Sequence, residues 1–139
     1  MADSTFMLEI VTPGELLFKD EVQFVVVPEV NGELGVLRNH APMIVALNTG
    51  IVRYTDTSGA IKKVAISGGF MEVMSNEVRI LAETAERGSQ IDVMRAKASR
   101  DRAEKRLSEH DASINMVRAQ MSLTRATARL KASDSFKTL

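Results

Sequence analysis

Residues 88–96 read Gly88-Ser89-Gln90-Ile91-Asp92-Val93-Met94-Arg95-Ala96, and the chain changes character across them. All eight glycines and all three prolines lie at or before Gly88. Beyond it the sequence is Ala-, Arg- and Met-rich with helical periodicity. Ser89 is an N-cap residue type, Gln90 and Ile91 open a first turn, and Asp92 carries negative charge where a helix N-terminus favours it. Asp92 and Arg95, three apart, share a helical face, and Arg102 continues that face seven residues later. Arg118, Arg125 and Arg129 repeat the pattern on a second helical stretch.

Working outward, 139 residues suffice for one small domain and an appendage. Aromatics make only 4% and Trp is absent, so the core must be aliphatic. The absence of Cys excludes disulfides, Cys-ligated zinc and a Cys nucleophile, and fits a reducing compartment. No apolar run approaches a membrane span, and Ala2-Asp3-Ser4 does not open a signal peptide. These features predict a soluble, cytoplasmic protein without direct membrane insertion. The net charge is zero, yet residues 1–89 carry −5 and residues 90–139 carry +5. Composition, charge and periodicity together divide the chain into a strand domain, 1–88, and a helical domain, 89–139.

In the first part Phe6, Leu8 and Ile10 alternate on a strand closed by Thr12-Pro13-Gly14. Leu16–Phe18 reads as a short strand, and Val22–Val27 as a central one ended by Pro28. Asn31-Gly32 is a turn, and residues 38–42 form a loop carrying His40. Ile51–Thr55 and Ala60–Ser67 form a hairpin about Asp56–Gly59; Phe70–Met74 and Val78–Ala82 pair about Ser75-Asn76. Eight to ten short strands at this spacing predict an antiparallel β-sandwich. In the second part Ile91, Met94, Ala98 and Leu107 keep helical spacing, and Glu109–Ser113 is a polar break holding His110, with Ser113 as the next N-cap. Ile114, Val117, Met121 and Ala128 mark one stripe; Ala119, Leu123, Ala126 and Leu130 mark its flank. A short connection predicts an antiparallel two-helix hairpin, fraying after Lys131.

No P-loop, GxSxG or HExxH motif occurs, and the two histidines sit in different halves. The chain therefore reads as non-catalytic, with no metal site. Ser67-Gly68-Gly69 resembles an oxyanion loop but is better read as a bulge between paired strands. Glu33 and His40 read on their own as a turn carboxylate and a solvated loop histidine. The Arg stripe is more informative. No acid lies between Asp111 and Asp134, whereas Arg118, Arg125, Arg129 and Lys131 do. Solvated faces mix both signs, so this run calls for an anionic partner: a phosphate, an acidic protein surface or nucleic acid. The lack of interleaved aromatics and the neutral chain disfavour nucleic acid.

Three segments carry a family resemblance. Asn31–Pro42 (NGELGVLRNHAP) is similar to GELG-x-x-x-x-HAP, and Ile66–Val73 (ISGGFMEV) and Leu81–Glu86 (LAETAE) follow in the same order. The chain resembles the epsilon subunit of bacterial F-type ATP synthase over essentially its whole length. It departs at Arg38-Asn39, where the family often has Pro-Gly. The resemblance implies a sandwich of about ten strands with a C-terminal helical hairpin. It implies a rotor subunit that binds the gamma subunit and the c-ring, with Glu33 and His40 at the c-ring end. It also implies a peripheral location on the cytoplasmic face of the bacterial cell membrane. The hairpin would be permissive when folded; extended, it would meet the beta subunit and inhibit ATP hydrolysis.

Some members of that family bind ATP through [IL]-D-x-x-R-A, which Ile91-Asp92-Val93-Met94-Arg95-Ala96 matches in full. The resemblance adds Glu86, Arg118, Arg125 and Arg129, and Arg102 shares the Arg95 face. ATP is then a regulatory ligand rather than a required cofactor, with a role for magnesium left open. Asp92 would accept hydrogen bonds from base or ribose, while the Arg residues neutralise the phosphates. The competing readings are a free-standing nucleotide sensor and a nucleic-acid-binding hairpin.

Overall fold

Phe6, Leu8 and Ile10 are buried, as their alternation predicts, on strand β1 (Phe6–Val11). The structure is a computed structural model that describes residues 4–109 and 113–133. The further strands are β2 (Leu16–Glu29), β3 (Gly32–Val36), β4 (Met43–Asp56), β5 (Ile61–Met74), β6 (Glu77–Ala82) and β7 (Ala85–Arg87). They hydrogen-bond in the order β1-β6-β5-β4-β2-β3, and β7 adds to β5. β1 also pairs with β2, so the sheet closes around one core. That core is aliphatic: Leu8, Ile10, Val25, Val27, Val52, Met71 and Ile80 are fully buried.

Seven strands stand among the described residues, rather than about ten. Leu16–Phe18 and Val22–Val27 belong to the single strand β2, and β5 joins most of Ala60–Ser67 to Phe70–Met74. β2, β4 and β5 each run for fourteen residues, long enough to curve around the closed sheet. Changes of pattern that look like strand ends are irregularities within them. Pro28 does not end β2. It pairs with Glu33 of β3, while the β2–β4 register shifts between Val26 and Glu29, so its missing N–H falls at an irregularity. Nor is the sheet wholly antiparallel, because closure sets β1 parallel to β6. No residue is inserted at Ser67-Gly68-Gly69 either. Thr49↔Ser67 and Leu47↔Gly69 keep one register, and the expected bulge is a twist made by glycines at φ 78° and 130°.

A 3₁₀ turn, Gly88–Gln90, leads to α1 (Val93–Glu109) and then α2 (Met116–Ala132). Asp92, not Ser89, caps α1: its Oδ1 accepts from the Arg95 backbone N–H at 3.0 Å. The turn also passes close to the end of α2: a Cβ added at Gly88 would lie 2.1 Å from the Ala132 carbonyl oxygen. Asn115, not Ser113, caps α2, accepting from the Arg118 N–H at 3.0 Å. His110 lies outside the described residues. Of the stretch after Lys131 that was expected to fray, residues 134–139 lie outside the described residues; α2 runs to Ala132, and Ser133 is buried, its N–H donating to the Arg129 and Leu130 carbonyls.

α2 lies on β4 and β5, and α1 packs on α2. The buried helix positions include alanines seven apart, Ala96 and Ala103 on α1, Ala119 and Ala126 on α2. Small side chains let the helices approach closely. Met94, Val117 and Met121, read as inner stripes, are therefore on the outside, and Ala98 is exposed too. A second small core of Ala65, Ile91, Ala96, Leu130 and Ala132 seats the helices on the sheet. Leu130 is the largest aliphatic side chain that α2 contributes to it. Leu130→Ala is expected to weaken this seating by about 2–5 kcal/mol. Limited proteolysis should then cut the helices quickly while residues 4–87 resist.

Candidate functional site

Where α2 crosses β5 and β7 a cavity of about 550 Å³ opens, a size that suits small ligands. Its apolar wall is Leu17, Ala65, Ile66 and Ala85; its polar groups come from Ser67, Thr84, Glu86, Gln90, Arg125 and Arg129, with Glu15 at the edge. Glu86 stands on β7 opposite Ala65 of β5. Arg129 forks onto its carboxylate, Nε to Oε1 at 2.8 Å and Nη2 to Oε2 at 3.4 Å. This half-buried ion pair ties helix to strand. Arg125, one turn earlier, donates from Nη2 to the Ser122 hydroxyl at 3.2 Å. The cavity therefore combines an apolar wall, the carboxylates of Glu15 and Glu86, and two forked cations, one of them already paired with Glu86. That donor set fits a nucleotide, which offers an apolar base and an anionic tail.

The other sequence-derived candidates stand elsewhere. Ile91 and Ala96 are buried in the small core and pack rather than line the cavity. Asp92 caps α1 while remaining exposed, and Arg95 and Arg102 are exposed on α1. Arg118 borders a separate cavity of about 350 Å³ with Arg106 and Asn115. Seven helical residues separate it from Arg125, a rise of about 10.5 Å. Glu86, Arg125 and Arg129 are thus brought into one cavity, which Asp92, Arg95, Arg102 and Arg118 do not line. Ser67, Thr84, Gln90 and Leu17 carry no recognisable nucleotide-binding signature in sequence. A signal for two of them existed: ISGGFMEV and LAETAE pair with each other, which sets Ser67 opposite Thr84.

Glu33 lies on β3 with Oε2 2.7 Å from Arg53 Nη1, an exposed pair worth under about 1 kcal/mol. His40 Nδ1 lies 2.8 Å from the Ala41 carbonyl oxygen. Its loop is anchored by Asn76, whose Oδ1 accepts from the Asn39 N–H at 2.7 Å and whose Nδ2 donates to the Thr5 carbonyl at 3.1 Å. Asn39 adopts φ 57°, a left-handed conformation that Asn tolerates better than most residues.

The outer face of the sheet carries an unusual apolar row. Register sets Ala46 of β4 beside Phe70 of β5, Phe70 beside Leu81 of β6, and Leu81 beside Val11 of β1. Phe70 is 56% and Leu81 45% exposed, with Ile44 and Met74 exposed on the same face. The charged residues Glu72, Arg79 and Glu9 flank this apolar row on the same face, and an exposed apolar strip with a polar edge marks an interaction surface. No helix among the described residues is long and apolar enough to cross a membrane.

Comparison with known proteins agrees with these features. Residues 5–88 match the family described as ATP synthase, Delta/Epsilon chain, beta-sandwich domain, and residues 89–134 match its long alpha-helix domain. The ATP synthase epsilon chain of Syntrophomonas wolfei is 62% identical over 107 residues, covering 77% of this chain and 78% of its own. Among solved structures, a chain of the Euglena gracilis mitochondrial ATP synthase OSCP/F1/c-ring assembly superposes with a TM-score of 0.79 at 21% identity. It covers 90% of this chain and 79% of its own. A chain of the Tetrahymena thermophila mitochondrial central stalk and c-ring gives 0.56 at 12% identity, covering 91% and 95%. On the strength of the two matched domains and of its bacterial relative, this chain belongs to the delta/epsilon chain family of ATP synthases, as an epsilon chain.

Proposed function

We propose that this chain is a non-catalytic rotor subunit of a bacterial F-type ATP synthase, held at the cytoplasmic face of the cell membrane through its complex. The observation that carries this reading is the exposed row Ala46, Phe70, Leu81 and Val11. A sheet that presents Phe and Leu to water needs a partner to cover them, and the gamma subunit of the central stalk is that partner. Glu33 and His40 face the c-ring. The subunit thereby couples ion flow through the ring to ATP synthesis. Its hairpin regulates hydrolysis: folded on the sandwich it is permissive, and extended toward the beta subunit it inhibits.

ATP holds the folded state. It binds where Arg125 and Arg129 of α2 face Glu86 and the sheet, so it gains its contacts only when α2 is seated. Its differential affinity for the folded form sets how far the equilibrium moves. The hairpin is suited to such control, because its seating rests on one small core, alanine contacts and the Arg129–Glu86 ion pair.

The chain has no cysteine, so single cysteines report position directly. In assembled enzyme, cysteine at position 70 is expected to crosslink to gamma and cysteine at position 40 to the c-ring. Consistent crosslinking of either to the catalytic head instead would refute the orientation.

A further inference from the structure

We infer that the Ser67 and Thr84 hydroxyls form, with Arg125, a subsite for a phosphoryl group inside the cavity. This deepens the nucleotide reading above and rests on it. Ser67 and Thr84 lie opposite each other, because the Ser67 N–H donates to the Thr84 carbonyl at 3.1 Å and continues the pairing of Ile66 with Ala85. They stand on the same sheet face as Ala65 and Glu86, two residues away along each strand. Their hydroxyls hydrogen-bond to each other. One hydroxyl proton is thereby shared and the other is free; both can turn outward to an anion when one arrives.

α2 runs antiparallel to β5 above this face. Ala132 and Lys63 both approach Gly88, Arg129 meets Glu86, and Arg125 lines the cavity together with Ser67 and Thr84. Two strand residues advance about 6.6 Å, and four helix residues advance about 6 Å. Arg125 therefore stands to the hydroxyl pair as Arg129 stands to Glu86. The difference is in the partners. Arg129 faces a carboxylate, which neutralises it and repels an incoming anion. Arg125 lines the cavity with the two neutral hydroxyls and with Glu15, makes no ion pair with a carboxylate among the described residues, and donates from Nη2 to the Ser122 hydroxyl. A guanidinium fork on one side and two O–H donors on the other suit a tetrahedral oxyanion, which accepts from all of them. Glu86 directs that oxyanion to the Arg125 end of the cavity and leaves the Arg129 end to less charged parts of the ligand. A phosphoryl group of ATP and one of a free polyphosphate present the same chemistry to this subsite.

The test titrates the full chain with ATP, tripolyphosphate and adenosine by calorimetry. Its variants are the double substitution Ser67→Ala with Thr84→Val and the conservative Thr84→Ser, each with its fold verified by circular dichroism. The double variant is expected to bind ATP and tripolyphosphate about tenfold or more weakly. Adenosine binding should not change, and Thr84→Ser should stay close to the parent. A folded double variant with parental ATP affinity overturns the subsite and leaves the nucleotide reading standing. Parent protein that takes tripolyphosphate but not ATP, with the double variant losing it, supports the subsite and removes the nucleotide reading. Parent protein that binds neither at millimolar concentration overturns both.

Discussion

Gly69→Ala is expected to lower the unfolding temperature by about 8 °C or more, at the scale of 4–8 °C per kcal/mol for a small domain. Two costs coincide there. Gly69 sits at φ 130°, a region that residues with a Cβ avoid. The added Cβ would also lie 2.0 Å from the Leu81 carbonyl oxygen and 2.9 Å from the Ala82 Cα. Both are backbone atoms of the paired strand β6, so no side chain can swing aside. Strain and overpacking each contribute about 1–3 kcal/mol, and their sum approaches the whole stability of a small domain. Gly14→Ala is the control, since an added Cβ there meets nothing within 4 Å. Thermal melts followed by circular dichroism compare the two. An unfolding temperature for Gly69→Ala within a few degrees of Gly14→Ala would mean that β5 and β6 can part at this point without loss.

Arg129→Ala and Arg125→Ala should differ in kind, although the two arginines stand one helical turn apart. Arg129 forks onto Glu86 and so seats α2 without any ligand. Its removal leaves a half-buried carboxylate without its cation, at about 1–3 kcal/mol, or roughly five- to a hundredfold more unseated hairpin. Arg129→Ala is therefore expected to speed proteolysis of the helices in the absence of nucleotide. Arg125 has no ion-pair partner among the described residues, so Arg125→Ala should leave ligand-free proteolysis unchanged. It should instead weaken ATP binding about ten- to a hundredfold, the range for one hydrogen-bonded charge contact. In assembled enzyme both substitutions should still weaken inhibition of ATP hydrolysis, despite freeing more of the hairpin, because under the proposed function each removes a cation that the extended hairpin would present to the beta subunit. Equal ligand-free cleavage rates for the two variants would remove the ion pair's role as a latch.

Much of the architecture was legible in sequence, for local reasons. Alternation in Phe6, Leu8 and Ile10 and the turn residues at Asp56–Gly59 and Ser75-Asn76 are short-range signals, and each leads to the element found. The abrupt loss of Gly and Pro after Gly88 marks where strands give way to helices. The Arg residues of α2 were visible as a same-sign run, and two of the three do line the cavity.

Tertiary structure decided the rest, because it depends on what packs where. Strand number was one such matter: closure of the sheet carries β2, β4 and β5 through irregularities that read as ends in a linear sequence. The inner face of the hairpin was another. Hydrophobicity alone favours Met94, Val117 and Met121 for burial, but helices that approach through alanine turn those larger side chains outward. The cap of α1 is Asp92 rather than Ser89, because a 3₁₀ turn over Gly88–Gln90 intervenes before the helix begins. Last, no spacing rule joins Ser67 to Thr84, or Glu86 to Arg129 forty-three residues on. Sheet register and the crossing of α2 bring them together, and those follow from the whole core rather than from any one stretch.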